Sequence, residues 1–191
     1  PLPSTFSPSL ALTLLFAVAL AVSLLLKFWL ASRQIRHVAR HRATVPAAFT
    51  GHITLAAHQK AADYTIAKTR LGLLELALGS AVLLGWTLLG GLDALNGALL
   101  DRLGGGMWQQ LALLAGFALV SGLIDLPLSL YQTFVLEERF GFNKMTLRLW
   151  LADLFKSTLV GVVIALPLAA LVLWLMAATG SLWWLWAWAV W

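Results

Sequence analysis

Four long runs of apolar residues constrain the fold of this 191-residue chain more than any other feature. A helix needs roughly 20 consecutive apolar residues to cross the hydrocarbon core of a bilayer, which is about 30 Å thick. The runs that reach this length cover residues 8–31, 71–90, 108–131 and 154–178. They lack the alternating pattern of a membrane β-barrel, and continuous apolar runs are typical of helices. We therefore predict an all-α integral membrane bundle with four transmembrane helices.

The composition excludes a water-soluble domain. Hydrophobic residues make up 61% of the chain and charged residues only 11%, whereas a soluble protein is typically about a quarter charged. The polar side chains are therefore too few to cover a surface that faces water. Because the chain has no cysteine, a small disulfide-stabilised secreted module is excluded as well. The net charge of +5 does not indicate a nucleic-acid partner, because membrane topology explains the positions of the positive charges.

The charges between the spans predict the orientation of the chain. The first connection, residues 32–70, contains seven Lys or Arg and a single Asp, whereas residues 91–107 contain two Asp and one Arg. The third connection contains Arg139, Lys144 and Arg148. Lys and Arg accumulate in cytoplasmic loops. We therefore predict that the first and third connections are cytoplasmic and that the N-terminus is outside.

The last residues predict the beginning of a fifth span. Residues 183–191 are rich in tryptophan, which is typical of the membrane interface. They contain no Lys or Arg, which an interfacial tail usually carries. Nine residues are too few to cross a bilayer. Since the first residue is Pro1 in place of methionine, we expect residues 1–191 to form a single N-terminal transmembrane domain of a longer protein.

Small residues recur at every fourth position within three of the spans. Such spacing puts them on one helix face, where they permit close approach between helices in lipid. We therefore expect helix–helix contacts on these faces. The residues are Ala77, Ala81 and Gly85, then Ala112 with Gly116, Ala118 with Gly122, and finally Gly161, Ala165 and Ala169.

The histidines do not form a convincing metal site. His37 and His41 are four residues apart, which places both on one face of a helix. The residues between them do not include the glutamate of an HExxH zinc motif, and the neighbouring Arg36, Arg40 and Arg42 would repel a divalent cation. We interpret this segment as a basic surface that faces lipid headgroups. We predict no metal ligand in this chain.

Several ionisable residues lie near the predicted cytoplasmic ends of the spans. They are Glu75, Asp125, Asp153 and Lys156. An unpaired charge in hydrocarbon costs several kcal/mol, so such residues normally face the bundle interior or a wet cavity. Two interpretations are equally open. The residues either line a polar chamber that opens to the cytoplasm, or they form a structural network of ion pairs with Lys156 and the basic residues before the second span.

Residues 134–146 combine aromatic and charged side chains in an unusual pattern. Gly141 permits a turn, and Asn143 is a good N-cap for a helix that leads into the fourth span. On physical grounds alone, the segment is an amphipathic connector at the membrane interface. Its alternating side chains are Phe134, Phe140 and Phe142 with Glu137, Glu138, Arg139 and Lys144.

These motifs resemble the N-terminal membrane region of the type 1 CAAX prenyl proteases and their bacterial relatives. The most specific part is EERFGFN at residues 137–143, and the resemblance extends from about Val45 to the end of the chain. A weaker motif precedes the second span. The residues that carry the resemblance are Asp125, Pro127, the run 137–144, Thr146, Asp153 and Lys156, with Lys60, Tyr64 and Lys68 in the weaker motif.

The resemblance implies a seven-helix zinc endopeptidase whose helices enclose a large water-filled chamber within the membrane. The zinc site of that family uses an HExxH helix and a downstream glutamate, which follow the fifth span on the cytoplasmic side. These residues have no counterpart in residues 1–191. We therefore expect this chain to contain no cofactor and no catalytic residue and to be inactive alone, with zinc bound by a catalytic domain outside it.

The expected partners follow from the same resemblance. They are membrane lipid, the remaining helices and zinc protease domain of the whole protein, and a peptide or protein substrate, but no nucleic acid. The residue composition suggests a bacterial cytoplasmic membrane, whereas a eukaryotic member would lie in the endoplasmic reticulum. The candidates for chamber or structural polar residues are Glu75, Asp125, Glu137, Glu138, Arg139, Asn143, Lys144, Asp153 and Lys156.

An alternative function comes from a different class. The chain would then be a non-catalytic membrane scaffold or a transporter subunit that oligomerises through its small-residue faces.

Overall fold

The described part of the chain is helical throughout. The computed structural model describes the backbone of residues 7–190 and the side chains of residues 7–189, and no strand occurs among them. This confirms the predicted all-α fold. The helices are α1 Pro8–His41, α2 Leu55–Thr87, α3 Gly91–Leu103, α4 Met107–Tyr131, α5 Leu147–Thr179 and α6 Trp183–Val190, with a π-helical segment at Gln132–Glu137 and 3₁₀ helices at Ala47–Phe49 and Gly180–Leu182.

Four helical stretches are long and apolar enough to cross a membrane. They are Pro8–His41, Leu55–Thr87, Met107–Glu137 and Leu147–Ala189, and their number confirms the prediction of four membrane helices. A helix of 33 residues, such as α2 or α5, is about 50 Å long at 1.5 Å per residue. Since this length exceeds the hydrocarbon thickness of about 30 Å, the ends of these helices project into the headgroup region.

The connections are shorter than the hydropathy pattern predicted. Helix α1 continues through the basic residues as far as His41, and α2 already begins at Leu55. The hydroxyl of Thr54 accepts a hydrogen bond of 3.2 Å from the backbone N–H of Ala57 and so caps α2. Residues Gly91–Leu103, which the pattern assigned to a connection, form the additional helix α3.

The start of α5 corrects the predicted helix cap. Thr146 caps this helix, because its hydroxyl accepts a hydrogen bond of 3.3 Å from the backbone N–H of Leu149. The side chain of Asn143 instead accepts a 2.7 Å bond from the backbone N–H of Met145. Asn side chains often bond the backbone two residues further on and thereby form a turn. The predicted role of Asn143 as the N-cap is therefore wrong.

The chain divides into two compact units. The first comprises residues up to Leu84 together with Phe134–Phe142, and the second comprises Gly85–Thr133 and the residues from Asn143 onward. The first unit therefore contains α1, most of α2 and the end of the π-helical segment. The residues of the strong motif up to Phe142 belong to the same unit as the weaker motif on α2.

In the second unit, α3 packs against α4. The side-chain amide of the buried Gln109 donates a hydrogen bond to Asn96 of α3. A Cβ atom added at Gly116 would lie 3.3 Å from Leu95 Cδ2, so even alanine at this position would require the Leu95 side chain to shift slightly. Trp86 Nε1–H donates a 3.0 Å hydrogen bond to the hydroxyl of Ser121. Polar contacts of this kind hold helices together in lipid.

Most large apolar side chains of the described residues remain exposed. Leu25, for example, is 71% exposed and Val163 is 63% exposed. In water such exposure would be costly, but lipid tails are as apolar as leucine. The exposed apolar faces therefore fit a chain that lies in lipid. The apolar side chains that are buried within the described residues are Ala62, Leu71, Leu136, Phe140 and Leu175.

Candidate functional site: a turn packed against α2

The residues 137–142, which we call the aromatic turn, end the helix that follows α4 with a tight reversal. The backbone N–H of Phe142 donates to the carbonyl of Glu137, and that of Gly141 donates to the carbonyl of Glu138, both at 2.9 Å. This pair of bonds is the Schellman arrangement. Gly141 has a φ of +71°, which glycine adopts readily and other residues adopt only at a cost. The glycine of the motif is therefore required by the backbone.

Two phenylalanines of the aromatic turn contact a tyrosine of α2. The ring of Tyr64 lies edge-on to Phe140, with ring centroids 5.3 Å apart, and to Phe142, at 4.8 Å. Phe140 is buried, whereas Phe142 is 53% exposed. Edge-to-face pairs at these distances are favourable beyond simple burial. We call Tyr64, Phe140 and Phe142 the aromatic cluster, and it fixes the aromatic turn on α2.

Each ring of the aromatic cluster has a basic group close to it. Lys60 Nζ lies 5.4 Å from the centroid of Phe142, and Lys68 Nζ lies 5.6 Å from that of Tyr64. The guanidinium carbon of Arg139 lies 5.8 Å from the centroid of Phe140. Such distances permit cation–π attraction. Because Lys60, Tyr64 and Lys68 are spaced four residues apart, α2 presents them on one face.

An ion pair joins the end of α1 to α2. The Nε and Nη2 atoms of Arg42 donate to the two carboxylate oxygens of Asp63, at 2.6 and 2.7 Å. Asp63 raises the pKa of Arg42, first through this hydrogen bonding and second through its charge. Both side chains are more than 40% exposed, so the pair contributes little to stability. Its geometry nevertheless orients Arg42.

A concavity of about 680 Å³ lies beside the aromatic turn within the first unit. Four basic side chains and one acidic side chain line it, and we call it the basic concavity. Its apolar wall includes Ile66 and Phe140. The excess of positive charge makes this surface suitable for an anion. The charged lining residues are Arg42, Lys60, Asp63, Arg70 and Arg139.

The predicted polar residues fall into two groups. Glu137, Glu138 and Arg139 lie in the aromatic turn, next to the weaker motif on α2. Glu75 is exposed on the same helix, and within the described residues of this unit it forms no ion pair with Lys68 or Arg70.

The remaining predicted residues lie in the second unit. Asp125 is exposed on α4, and Asp153 and Lys156 are exposed on α5, three residues apart. No ion pair joins Asp125 and Lys156 among the described residues of this unit. Asn143 is half-buried in its turn, and Lys144 beside it is exposed.

The histidines do not offer a zinc site. The rings of His37 and His41 are in contact, with centroids 4.3 Å apart. However, His41 Nδ1–H donates to the carbonyl of His37 at 2.8 Å, and His58 Nε2–H donates to the carbonyl of His41 at 3.0 Å. No group of three or more His, Asp or Glu side chains within residues 7–189 is arranged to hold a metal ion. The described residues therefore do not fit the zinc of a metalloprotease.

Comparison with known proteins decides the family. The family described as CAAX prenyl protease N-terminal, five membrane helices, matches residues 34–191. The chain belongs to this family. Within it, the CAAX prenyl protease 1 homolog of Arabidopsis thaliana is 30% identical over 154 residues, which is 76% of this chain and 36% of that protein.

Further proteins of the CAAX prenyl protease family are also similar to this chain. The CAAX prenyl protease 1 of Saccharomyces cerevisiae is 48% identical over 65 residues, which is 34% of this chain and 14% of that protein. The crystal structure of S. mikatae Ste24p matches with a TM-score of 0.79 and 26% identity, over 87% of this chain and 40% of that chain. The chain therefore spans 40% or less of the length of these relatives.

Family membership confirms the resemblance that the EERFGFN motif indicated, and it does not favour the alternative of a scaffold or transporter subunit. Two features of the site were missed in the sequence. Asp63 was noted only as the single acid among seven bases of the first connection, although a lone acid in such a setting is a natural ion-pair partner. The pairing of Tyr64 with two phenylalanines was not predicted either, because nothing in local spacing connects α2 with the aromatic turn.

Proposed function

We propose that this chain forms the N-terminal membrane part of an integral membrane zinc endopeptidase and contributes part of the wall of an intramembrane chamber. The observation that supports the proposal best is the aromatic turn, because it holds the two motifs that resemble those of the CAAX prenyl proteases against each other through Tyr64. The turn therefore serves as a structural joint of the membrane part. The substrate we propose for the whole protein is a protein or peptide of the prenylated CAAX class, following the names of the relatives.

The catalytic zinc would be bound outside residues 7–189, because the described residues do not provide a ligand set. We propose that the contribution of this chain is architectural and electrostatic. Its helices would complete the enclosure, and its polar side chains would keep the wall of the chamber hydrated. The partners would be membrane lipid, the remaining helices and protease domain, and the substrate.

The chamber wall would contain the ionisable residues of the spans. Glu75, Asp125, Asp153 and Lys156 are exposed in the described structure. Because charges are costly in hydrocarbon, these side chains would face water or the remaining helices of the protein. The polar residues of the connector, Glu137, Glu138, Arg139, Asn143 and Lys144, would border the same chamber or support the turn.

The orientation we propose rests on loop charge. Residues 32–70 carry seven Lys or Arg, and residues 132–153, between the third and fourth predicted spans, carry three, so both would be cytoplasmic and the N-terminus would be outside. The protein would lie in a bacterial cytoplasmic membrane, or in the endoplasmic reticulum if the source is eukaryotic. Any catalytic part that follows a fifth span would then be cytoplasmic.

Cleavage by the whole protein tests this proposal. We expect the purified protein with its zinc to cleave a farnesylated peptide with a C-terminal CAAX sequence. A chelator should abolish cleavage, and added Zn²⁺ should restore it. An unprenylated peptide of the same sequence shows whether the lipid group is recognised. Absence of chelator-sensitive cleavage of both peptides would contradict the proposed activity.

The chamber role of the polar residues needs a separate measurement. We expect Asp125→Ala and Glu138→Ala in the whole protein to lower kcat/KM by about tenfold or more, which corresponds to a loss of about 1.4 kcal/mol of transition-state stabilisation. Asp101→Ala is the matched control, since Asp101 is exposed on α3 and lies in the proposed outer connection. Unchanged activity and unchanged thermal stability of both variants would remove the support for a chamber role.

A further inference from the structure

The basic concavity has a charge excess that its own residues do not compensate. Among its five charged side chains, Arg42 is paired with Asp63 through Nε and Nη2. No ion pair joins Lys60, Arg70 or Arg139 to an acid among the described residues of this unit. The lining therefore carries a net charge of +3, from four bases and one acid. A concave surface with this charge attracts an anion with several acceptor oxygens.

Three of these basic groups are held in place by neighbours. Arg42 is fixed by its two bonds to Asp63. Lys60 Nζ lies over the ring of Phe142 and only 3.7 Å from the position that a Cβ atom at Gly141 would occupy. Arg139 lies over Phe140. Groups that are already positioned lose less conformational entropy when a ligand binds.

The position of the concavity along α2 indicates what kind of anion it would bind. Its lining runs from Ala56 to Arg70, and the apolar run that begins at Leu71 follows directly. In a membrane, Arg70 would then lie where the hydrocarbon begins, and Lys60, about 15 Å further along the helix, would lie in the headgroup region or just outside it. Ile66 and Phe140 add an apolar wall. A small soluble anion has no apolar group to pack against this wall, whereas a lipid has. Basic clusters beside a transmembrane helix typically bind anionic lipid headgroups.

We propose that the basic concavity binds the phosphate group of an anionic phospholipid, with Lys60, Arg70 and Arg139 as phosphate ligands and Arg42 as a positioned fourth donor. The acyl chains of this lipid extend along the apolar part of α2. The site lies within one unit and depends only on membrane insertion of the chain. It is independent of peptide cleavage.

Native mass spectrometry of the whole protein, released from detergent, tests the site directly. Phosphatidylglycerol and phosphatidylcholine with identical acyl chains are titrated separately. We expect retention of phosphatidylglycerol at much lower concentrations than phosphatidylcholine. Lys60→Gln and Arg70→Gln should each weaken phosphatidylglycerol binding about fivefold, the effect of one basic residue at a membrane surface, and leave phosphatidylcholine binding unchanged.

Arg102→Gln is the matched control, because it removes the same charge from the exposed end of α3, outside the concavity. It should bind phosphatidylglycerol like the parent. Lys60→Arg, which keeps the charge, should restore at least part of the affinity. Arg70→Gln tests the site without touching the aromatic turn, and thermal unfolding shows that each variant is folded. Equal effects of Arg102→Gln and Arg70→Gln would overturn the proposal.

A soluble competitor separates lipid from free phosphate. Glycerol 3-phosphate carries the same oxyanion without acyl chains, so we expect it to displace phosphatidylglycerol only at concentrations at least a hundredfold higher. Displacement at equal concentration would show that the site recognises a soluble phosphate compound, and it would overturn the assignment to lipid. Equal binding of phosphatidylcholine and phosphatidylglycerol would overturn the assignment to an anion.

Discussion

At the scale of single residues, the backbone at Gly141 decides whether the aromatic turn forms. We expect Gly141→Ala to destabilise the whole protein by about 1–2 kcal/mol, because a φ of +71° is costly for a residue with a Cβ atom. Steric crowding adds little, since the nearest atom to that Cβ is Lys60 Nζ at 3.7 Å. Thermal or denaturant unfolding in detergent measures the difference.

Gly97→Ala provides the control for this substitution. Gly97 lies inside α3, is not among the glycines with positive φ, and has open space around its Cβ position. Alanine is a better helix former than glycine by up to about 1 kcal/mol, so this variant should be neutral or slightly more stable. Equal stability of the two variants would contradict the conformational account of Gly141.

The same segment shows which local features could be predicted from residue preferences and which could not. The turn at Gly141 was predictable, because glycine is the usual residue at a helix end with positive φ. The choice of helix cap was not. Asn143 and Thr146 are both good N-caps, and local preference does not select between them. The structure uses both, since Asn143 closes a turn and Thr146 caps α5.

At the scale of elements, the aromatic cluster determines how the aromatic turn is held on α2. We expect Tyr64→Ala to destabilise the whole protein by about 1–3 kcal/mol, because it removes two edge-to-face pairs, each worth about 0.5–1.5 kcal/mol. Tyr131→Ala is the control at the other tyrosine of the chain. Tyr131 is 48% exposed on α4, and it has no part in the aromatic cluster, so its loss should cost less.

A double-mutant cycle makes this prediction specific. Tyr64→Leu and Phe142→Leu keep apolar bulk but remove the ring pair, and their effects should be non-additive by about 0.5–1.5 kcal/mol. Phe142 is suitable because it is half exposed, so its replacement leaves no buried cavity. Additive effects in unfolding experiments would mean that the two rings do not stabilise each other.

Helix α3 was not predicted from hydropathy, although the sequence contains residues that are typical of helix ends. Asp93 lies in its first turn and Arg102 in its last turn, which complements the helix dipole. Glycines with positive φ at positions 90 and 104 mark its ends. Its packing was beyond local prediction, however. The small residue Gly116 contacts Leu95 of α3, whereas spacing alone suggested a contact between transmembrane spans.

At the scale of the whole molecule, the number of spans was predictable and the polar contacts were not. Hydropathy identifies spans because a bilayer requires about 20 apolar residues per crossing, and all four are present. The partners of Glu75 and Asp125 depend on which helices meet, and this information is absent from local sequence. The chain also spans 40% or less of the length of its relatives, and under the proposed function these acids would face water or the further helices of the protease.

The proposed orientation of the chain predicts which side of the membrane each loop faces, and single cysteine substitutions can test this. The chain contains no cysteine, so a single engineered cysteine reports its own side of the membrane, and the unmodified protein gives the background. Asp101→Cys and Ser181→Cys should react with a membrane-impermeant maleimide in intact cells. Thr50→Cys and Lys144→Cys should react only after the membrane is made permeable. All four positions are exposed, so differences in labelling reflect sidedness.

We expect Thr50→Cys to be protected in intact cells because the first connection contains seven Lys or Arg. Its translocation would carry these charges to the outer side, against the bias that retains them in the cytoplasm. Labelling of Thr50→Cys and Lys144→Cys in intact cells, with protection of the other two, would reverse the orientation and contradict the proposed cytoplasmic catalytic part. Thr50 and Lys144 on opposite sides would mean that only one of α2 and α4 crosses the membrane, which would contradict the proposed four-span topology itself.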